Sequence, residues 1–352
     1  MCDFSVYGTP SPEWIAGASN LPSFLPQVES IVEWRKIFNA QREATVAEEF
    51  KSVKTQVRIQ DYSIPTRDGS SIGARCYWPI NAEPGKSLPV YMHLLGGGFI
   101  FGSLATEDAI CARIAINTQI IVLSIEARHT PEHSYPTAWN DTNDAFDWLH
   151  DHIEELGGNA HQVIIGGQSS GGQLAASLVL KRNLDSSSER PAIAGQLLMV
   201  PCLVSMSCYE PQLAKLKSKD ISSYEQNRFA PLAPLTVCRF FEELLEIDDP
   251  QVDDIELNPG NATPDQVQGL PPTMFLITGW DPMRDEGLLY AKMLVEAGVP
   301  VDIHMFPGLP HNFRRVLNNV PESARWDRTI ERGIQWLLSN PMATGMFEIK
   351  EK

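Results

Sequence analysis

Six short apolar runs recur along the chain: Leu88–Leu95, Ile120–Ile125, Val163–Gly167, Gly195–Val200, Thr273–Thr278 and Val301–Met305. Each has the length of one strand, and a continuous apolar run is the mark of a strand covered on both faces. Helical patterns fall among them, at Asp108–Asn117, Thr137–Glu155, Leu288–Ala297 and Trp326–Leu338. Such alternation predicts an α/β fold: a mostly parallel central sheet with helices on both faces. Ahead of it, Val53–Ile59 and Ile72–Trp78 alternate, with a turn at Arg67-Asp68-Gly69-Ser70 between them. They read as an antiparallel hairpin that opens the sheet.

Two stretches break the alternation. Residues 1–52 are helical and punctuated by proline, with Trp14, Leu21, Phe24, Leu25, Val28, Ile31, Val32, Trp34, Ile37 and Phe38 as apolar positions. From Ser30 to Phe50 the pattern is amphipathic. Residues 203–250 are polar, then amphipathic from Leu235 to Ile247, with no strand run. The expected organisation is therefore an amino-terminal helical cap segment (1–52), the first part of the core (53–202), a cap insertion (203–250) and the second part of the core (251–352). A segment as short as either cap piece cannot bury a core alone, so both must pack on the sheet. Trp14, Phe24, Trp34, Phe38, Tyr209, Tyr224, Phe229, Phe240 and Phe241 make these two segments aromatic. An apolar pocket is expected beneath them, although ordinary packing must claim most of the nine.

Charge narrows the partners. The 352 residues carry 28 basic and 44 acidic side chains, a formal charge of −16. Such a chain repels phosphate backbones and anionic lipid, which excludes nucleic acid and membrane surfaces as expected partners. No apolar stretch approaches the roughly 18 residues of a membrane span. The six cysteines, at 2, 76, 111, 202, 208 and 238, contain no Cys-x-x-Cys pair and read as free thiols in a reducing compartment. With no basic start or signal-like apolar run at the amino terminus, a soluble cytoplasmic protein is expected, and the Asn261-Ala262-Thr263 sequon carries no weight. The oligomeric state stays open, a homodimer included.

The strongest local signal is Gly167-Gln168-Ser169-Ser170-Gly171-Gly172. It fits G-x-S-x-G, with the apolar run Gln162–Gly166 before it and helix formers from Gln173 to Lys181 after it. A strand that turns at once into a helix admits only small residues two positions either side of the serine, and it lifts the hydroxyl clear of the sheet. The helix start then offers free N–H groups to developing negative charge. Gly96-Gly97-Gly98 follows the run Leu88–Leu95 and can bring backbone N–H groups up to a substrate carbonyl. A phosphate loop is the rival reading, but no Lys-Ser/Thr follows and no G-x-G-x-x-G spacing fits.

A serine nucleophile needs a base, and the base an orienting acid. In α/β-hydrolases these follow the serine, acid first. Only His304 and His311 lie beyond residue 170. His304 sits inside an alternating run and reads as a strand side chain, whereas His311 follows Pro307-Gly308-Leu309-Pro310 in a loop just past that strand. Asp281 lies where Thr278-Gly279-Trp280 ends the preceding strand. Asp285 reads better as a charge at a helix start, and Asp302 is the weaker rival within a strand.

These residues together resemble the hormone-sensitive-lipase-like branch of the α/β-hydrolases, the group of arylacetamide deacetylase and many microbial and fungal carboxylesterases. Leu95-Gly96-Gly97-Gly98-Phe99 stands for H-G-G-G-F, and Gly167–Gly172 for G-D-S-A-G-G. Arg128-His129-Thr130-Pro131-Glu132-His133 is similar to the Y-R-L-A-P-E-H stretch, and Asp281–Gly287 to D-P-L-R-D-E-G. The resemblance runs from about residue 60 to the carboxyl terminus. It implies Ser169 as nucleophile, Asp281 as acid, His311 as base, and the amides of Gly97, Gly98 and Ser170 as an oxyanion hole. It also implies a cap from the amino-terminal helices and an insertion after the sixth strand. Leu95, Gln168 and Ala127 depart from the family's histidine, acid and tyrosine. The first departure bears on the rigidity of the glycine loop; none touches the three catalytic positions.

His129-Thr130-Pro131-Glu132-His133 also spells H-x-x-E-H, a zinc-protease pattern. That site needs a helix, and Pro131 disfavours one, so Glu132 and His133 read as polar groups that tie loops together. No cofactor and no metal is implied. The expected activity is a serine hydrolase of the carboxylesterase class acting on a small hydrophobic ester, lactone or acetylated metabolite, in secondary metabolism. The alternative is non-hydrolytic use of the same scaffold, as a cyclase or lyase or as a small-molecule binder.

Overall fold

The computed structural model describes residues 1–17, 30–83, 85–187 and 190–351. Leu21, Phe24, Leu25 and Val28 of the expected cap segment lie outside them. Among the described residues, nine strands form one sheet: β1 (Val57–Pro65), β2 (Ser71–Pro79), β3 (Leu88–Leu94), β4 (Ile121–Glu126), β5 (Gly158–Gln168), β6 (Gly195–Met199), β7 (Thr273–Trp280), β8 (Val301–Pro310) and β9 (Ile349–Lys350). Their spatial order is β1-β2-β4-β3-β5-β6-β7-β8-β9. The β1–β2 hairpin pairs antiparallel, as does β2 with β4, and every pairing from β4 onward is parallel. The expected opening hairpin is present, although residues 54–56 form a short 3₁₀ turn rather than strand.

The continuous apolar runs have a direct cause. Val90, Met92 and Leu94 of β3 point into one layer, where Trp139, Phe146, Leu174 and Leu289 meet them. Tyr91, between them, points into the other layer, against Cys111, Trp326 and Ile330. Neither face reaches water, so neither can be polar. Helices Thr137–His152, Ser170–Leu184 and Arg284–Glu296 cover the first face, and Asp108–Thr118 and Pro321–Leu338 the second. Each large apolar side chain taken from water contributes about 1.5–3 kcal/mol.

The helix Ile31–Phe50 begins at Ser30, whose side chain accepts the Glu33 N–H, and it packs beside the helix Asp108–Thr118. The stretch between β6 and β7 holds only short helices, of which Leu235–Glu243 is the longest before residue 250. The chain start touches it: Cys2 N–H donates to Lys215 C=O at 2.8 Å, and Lys217 N–H to Cys2 C=O at 2.9 Å. No helix among the described residues is long and apolar enough to cross a membrane. All six cysteines are free thiols.

Candidate active site

The carboxyl ends of β5, β7 and β8 converge. β5 ends at Gln168, the helix Ser170–Leu184 starts at the next residue but one, and Ser169 alone makes the turn with φ 58° and ψ −120°. A serine in this region costs on the order of 1–3 kcal/mol, so its surroundings must hold it. Ser169 N–H donates to Met199 C=O at 2.9 Å, and Ser169 C=O accepts Gln173 N–H at 3.1 Å. A Cβ on Gly167 would strike the carbonyl of Gly171, and one on Gly171 that of Leu94. Close backbone approach, not chance, requires glycine on both sides of the serine.

His311 follows β8 immediately, in the loop where it was expected. Its Nε2 lies 2.9 Å from Ser169 Oγ and its Nδ1 2.7 Å from Asp281 Oδ2. An ionised carboxylate only accepts, so Nδ1 carries the imidazole proton and the Nε2 lone pair faces the serine. Asp281 is itself fixed: Thr278 Oγ1 donates to Oδ2 and Met283 N–H to Oδ1, both at 2.9 Å. All three side chains are buried. The rivals fall elsewhere. His304 pairs with Asp302 at 3.0 Å, and Lys350 of β9 meets the same carboxylate at 2.7 Å. Asp285 does lie in the first turn of the helix Arg284–Glu296, as expected. It is fully buried, takes a hydrogen bond from Arg284 Nε at 2.8 Å and accepts Ser223 N–H at 2.7 Å. It tethers the segment between β6 and β7 to the loop that carries Asp281.

The glycine loop lies against the helix that follows the serine. Gly97 and Gly98 N–H both donate to Ser170 Oγ, at 3.1 and 3.0 Å. The loop is also gripped from the amino-terminal helix. Arg35 Nε donates to Ile100 C=O at 2.7 Å, its guanidinium also reaches Thr130 C=O and the Glu132 carboxylate, and Asn39 meets both backbone groups of Gly102. Glu132 thus joins its loop to the helix that carries Arg35, whereas the sequence implied a tie between loops. The stretch 127–136 forms no helix, so its two histidines do not share a helix face. Leu95, in place of a histidine, packs beside Gly102. His93 points into the opposite layer, where it meets Tyr91 and Glu107 at 3.1 Å each. Glu107 is buried. Burial would raise its carboxyl, but the charge of Arg42 and the His93 bond outweigh that, and the acid is held below its usual range. Gln168, where the family motif has an acid, takes a hydrogen bond from Arg315 at 2.8 Å and donates to Asn312. Arg35, Asn39, Asn227 and Thr278 were not picked out from the sequence.

A cavity of 190 Å³ opens over Ser169. Phe38, Phe101, Leu232, Phe241, Leu245 and Met283 give it an apolar wall. Phe241 meets Phe101 edge-on and Phe38 lies tilted against it, and Tyr224 lies on Tyr209 at 3.9 Å between ring centroids. Others of the expected aromatics go elsewhere: Trp14 packs edge-on to Trp280 in the core, and Phe229 is 77% exposed. Two acidic groups in the wall, Glu286 and Cys202, are held towards their neutral forms. Burial pushes the Glu286 carboxyl well above its usual range, and the Leu203 N–H it accepts at 2.6 Å only partly offsets this. Cys202 Sγ sits 3.6 Å from Ser169 Oγ, with its thiol pushed well up by burial, so it is no competing thiolate. A second cleft of 420 Å³ lies under the helix Ile31–Phe50, and the two share Phe38, Arg42, Leu232, Arg315 and Val316 as walls.

This geometry agrees with what the chain is similar to. The model of a family described by its alpha/beta hydrolase fold matches residues 90–315. The chain belongs to the α/β-hydrolase fold family. Within the family it is 31% identical to the esterase LipI of Mycobacterium tuberculosis over 273 residues, 76% of this chain and 79% of that one. Two solved structures follow its fold closely. A vibralactone cyclase gives a TM-score of 0.86 at 26% identity over 95% of this chain and 96% of the other. A bacterial heroin esterase gives 0.77 at 29% identity over 94% and 98%. The protein is a carboxylesterase-type hydrolase of the hormone-sensitive-lipase-like kind.

Proposed function

We propose that this α/β-hydrolase cleaves the carboxylic ester of a small hydrophobic substrate through an acyl-enzyme on Ser169. The observation that carries the reading is the unbroken chain Ser169 Oγ–His311 Nε2–Asp281, at 2.9 and 2.7 Å, beneath an apolar cavity. His311 takes the serine proton as Oγ bonds to the carbonyl carbon, and Asp281 stabilises the imidazolium that forms. The carbonyl electrons move onto oxygen, for which the amides of Gly97, Gly98 and Ser170 are the candidate donors, each such donor contributing about 3 kcal/mol. His311 then protonates the leaving alkoxide, and water taken up by the same base releases the acid.

The cavity supports a particular substrate class. At 190 Å³ it is smaller than the roughly 300–1,000 Å³ of a drug-sized site, so a short acyl group, a lactone or an acetylated metabolite fits best. The described parts of residues 1–52, together with 203–250, act as its cap, because Phe38 from one and Phe241 from the other wall the cavity and the two segments are bonded at Cys2. A second reading has its own support in the likeness to a vibralactone cyclase. There, a hydroxyl of the acyl group would replace water and close a lactone. Turnover of short p-nitrophenyl esters by the wild type and by Ser169→Ala tests the proposal. Loss of turnover in the variant is expected. Equal turnover in both, or none from folded wild type, overturns ester hydrolysis at Ser169.

A further inference from the structure

We infer that the side chain of Ser170, and not only its amide, is a donor to the oxyanion. This deepens the hydrolase reading above and rests on it. The starting point is a hydroxyl in an unexpected place. Ser170 follows the nucleophile, at the position where the motif this chain resembles carries alanine. Its Oγ accepts N–H from Gly97 at 3.1 Å and from Gly98 at 3.0 Å, and these are its only hydrogen-bond partners among the described residues.

The consequence follows from hydroxyl chemistry. A hydroxyl oxygen has two lone pairs and one hydrogen. Here both lone pairs are filled by amides, so the remaining tetrahedral direction belongs to the hydrogen. That hydrogen has no protein acceptor, while the residue lines the cavity over Ser169 and is 2% exposed. An O–H whose oxygen already accepts two N–H groups is polarised towards donation, and the dry surroundings strengthen it further. The Ser170 N–H, in the first turn of its helix, has no intrahelical partner either. An oxyanion formed on Ser169 therefore meets two donors from one residue, and the two glycine amides, while committed to Oγ, act on it through the hydroxyl they polarise. Because Oγ accepts both amides, the glycine loop is also held in position before substrate arrives.

Two measurements on Ser170→Ala and Ser170→Thr test this. The first is turnover of p-nitrophenyl acetate and butyrate. The second is the rate at which a fluorophosphonate labels Ser169, since its phosphoryl oxygen must enter the same hole without any turnover. Ser170→Ala is expected to lower kcat about 100-fold, the size of one lost oxyanion donor. KM should change less than about twofold, labelling should slow in parallel, and Ser170→Thr, which keeps the hydroxyl, should retain most of both rates. Unchanged or faster kcat and labelling in folded Ser170→Ala would show that the hydroxyl only occupies the glycine amides, and overturns the inference while leaving the hydrolase reading intact. Wild type that neither turns over ester nor labels at Ser169 overturns both. If Ser170→Ala does not fold, the threonine variant decides: loss of labelling there, in a folded protein, counts against the hydroxyl.

Discussion

Asn39, on the amino-terminal helix, holds Gly102 by both of its backbone groups: Oδ1 accepts the Gly102 N–H and Nδ2 donates to the Gly102 C=O, each at 2.9 Å. Gly102 closes the loop whose other end presents Gly97 and Gly98 to the nucleophile. The clamp acts where the family motif would place a histidine and this chain has Leu95. Loop rigidity, which the leucine put in question, is thus supplied from the helix Ile31–Phe50. Asn39→Ala removes two hydrogen bonds worth about 1 kcal/mol each and frees the loop to move. The expected result is a roughly tenfold fall in kcat on a short ester, with KM little changed and a small fall in melting temperature. A fall in melting temperature alone would mean that the loop keeps its shape without the clamp.

Asp281→Asn tests the orienting acid. The amide can still accept from Thr278 Oγ1 or Met283 N–H, so the loop should keep its fold. It can also turn its NH₂ towards His311, which then holds the wrong tautomer and presents an N–H to the serine. In the chymotrypsin-type triad the same change lowers kcat about 10⁴-fold, and a loss of about 10³–10⁴ is expected here. Residual turnover above the uncatalysed rate should remain, because the oxyanion donors are untouched. A variant within tenfold of wild type would show that Asp281 does not orient the base.

The part of this site that could be read from sequence is the part that depends on local pattern. Strand, tight turn and helix around Ser169 occupy a single stretch of chain, and His311 is placed by its position just past an alternating run. The braces could not be read because each joins distant segments. Asn39 lies 63 residues from Gly102, and Asn227, whose side chain donates to the Asp281 C=O at 2.9 Å, lies 54 residues from it. An asparagine in an amphipathic helix looks like any solvated position until the fold brings a loop to it. Asp285 was placed correctly at a helix start, but its partner Ser223, 62 residues away, could not be read for the same reason. Trp14 was grouped with the pocket aromatics by proximity in sequence, and the sheet's own Trp280 took it instead.

Gly98 separates two effects that a substitution would combine. Its φ is +64°, where a side chain is strained, and a Cβ there would meet the ring of Phe241. Gly98→Ala should therefore displace both the amide and the cavity wall. A loss of stability of about 1–3 kcal/mol is expected from the backbone alone, together with a fall in kcat of about 100-fold as the amide moves. Adding Phe241→Ala makes room for the methyl but does not change φ. The double variant should recover part of the lost activity and not all of it. Full recovery would assign the whole effect to the ring, and no recovery would assign it to the backbone.

His150 gives a prediction about acid. It lies on the helix Thr137–His152, with its ring centroid 4.5 Å from that of Phe146 and no hydrogen bond to Nε2. Burial first, then the positive charge of Arg190, lowers its pKa from 6.5 to about 4, against a smaller opposing pull from Asp147. The folded protein therefore keeps this ring neutral, while the unfolded chain protonates it near pH 6.5. As pH falls from 6.5 towards 4 the unfolded state takes up a proton that the folded state refuses, so stability is lost across that window and levels off below it. For a half-buried ring that solvent still reaches, the loss should be about 1–2 kcal/mol. His150→Phe keeps the contact with Phe146 and removes the titration. Its melting temperature, followed from pH 7 to 4.5, should fall less steeply than that of wild type. Parallel curves for the two proteins would mean that the folded state does not hold His150 neutral.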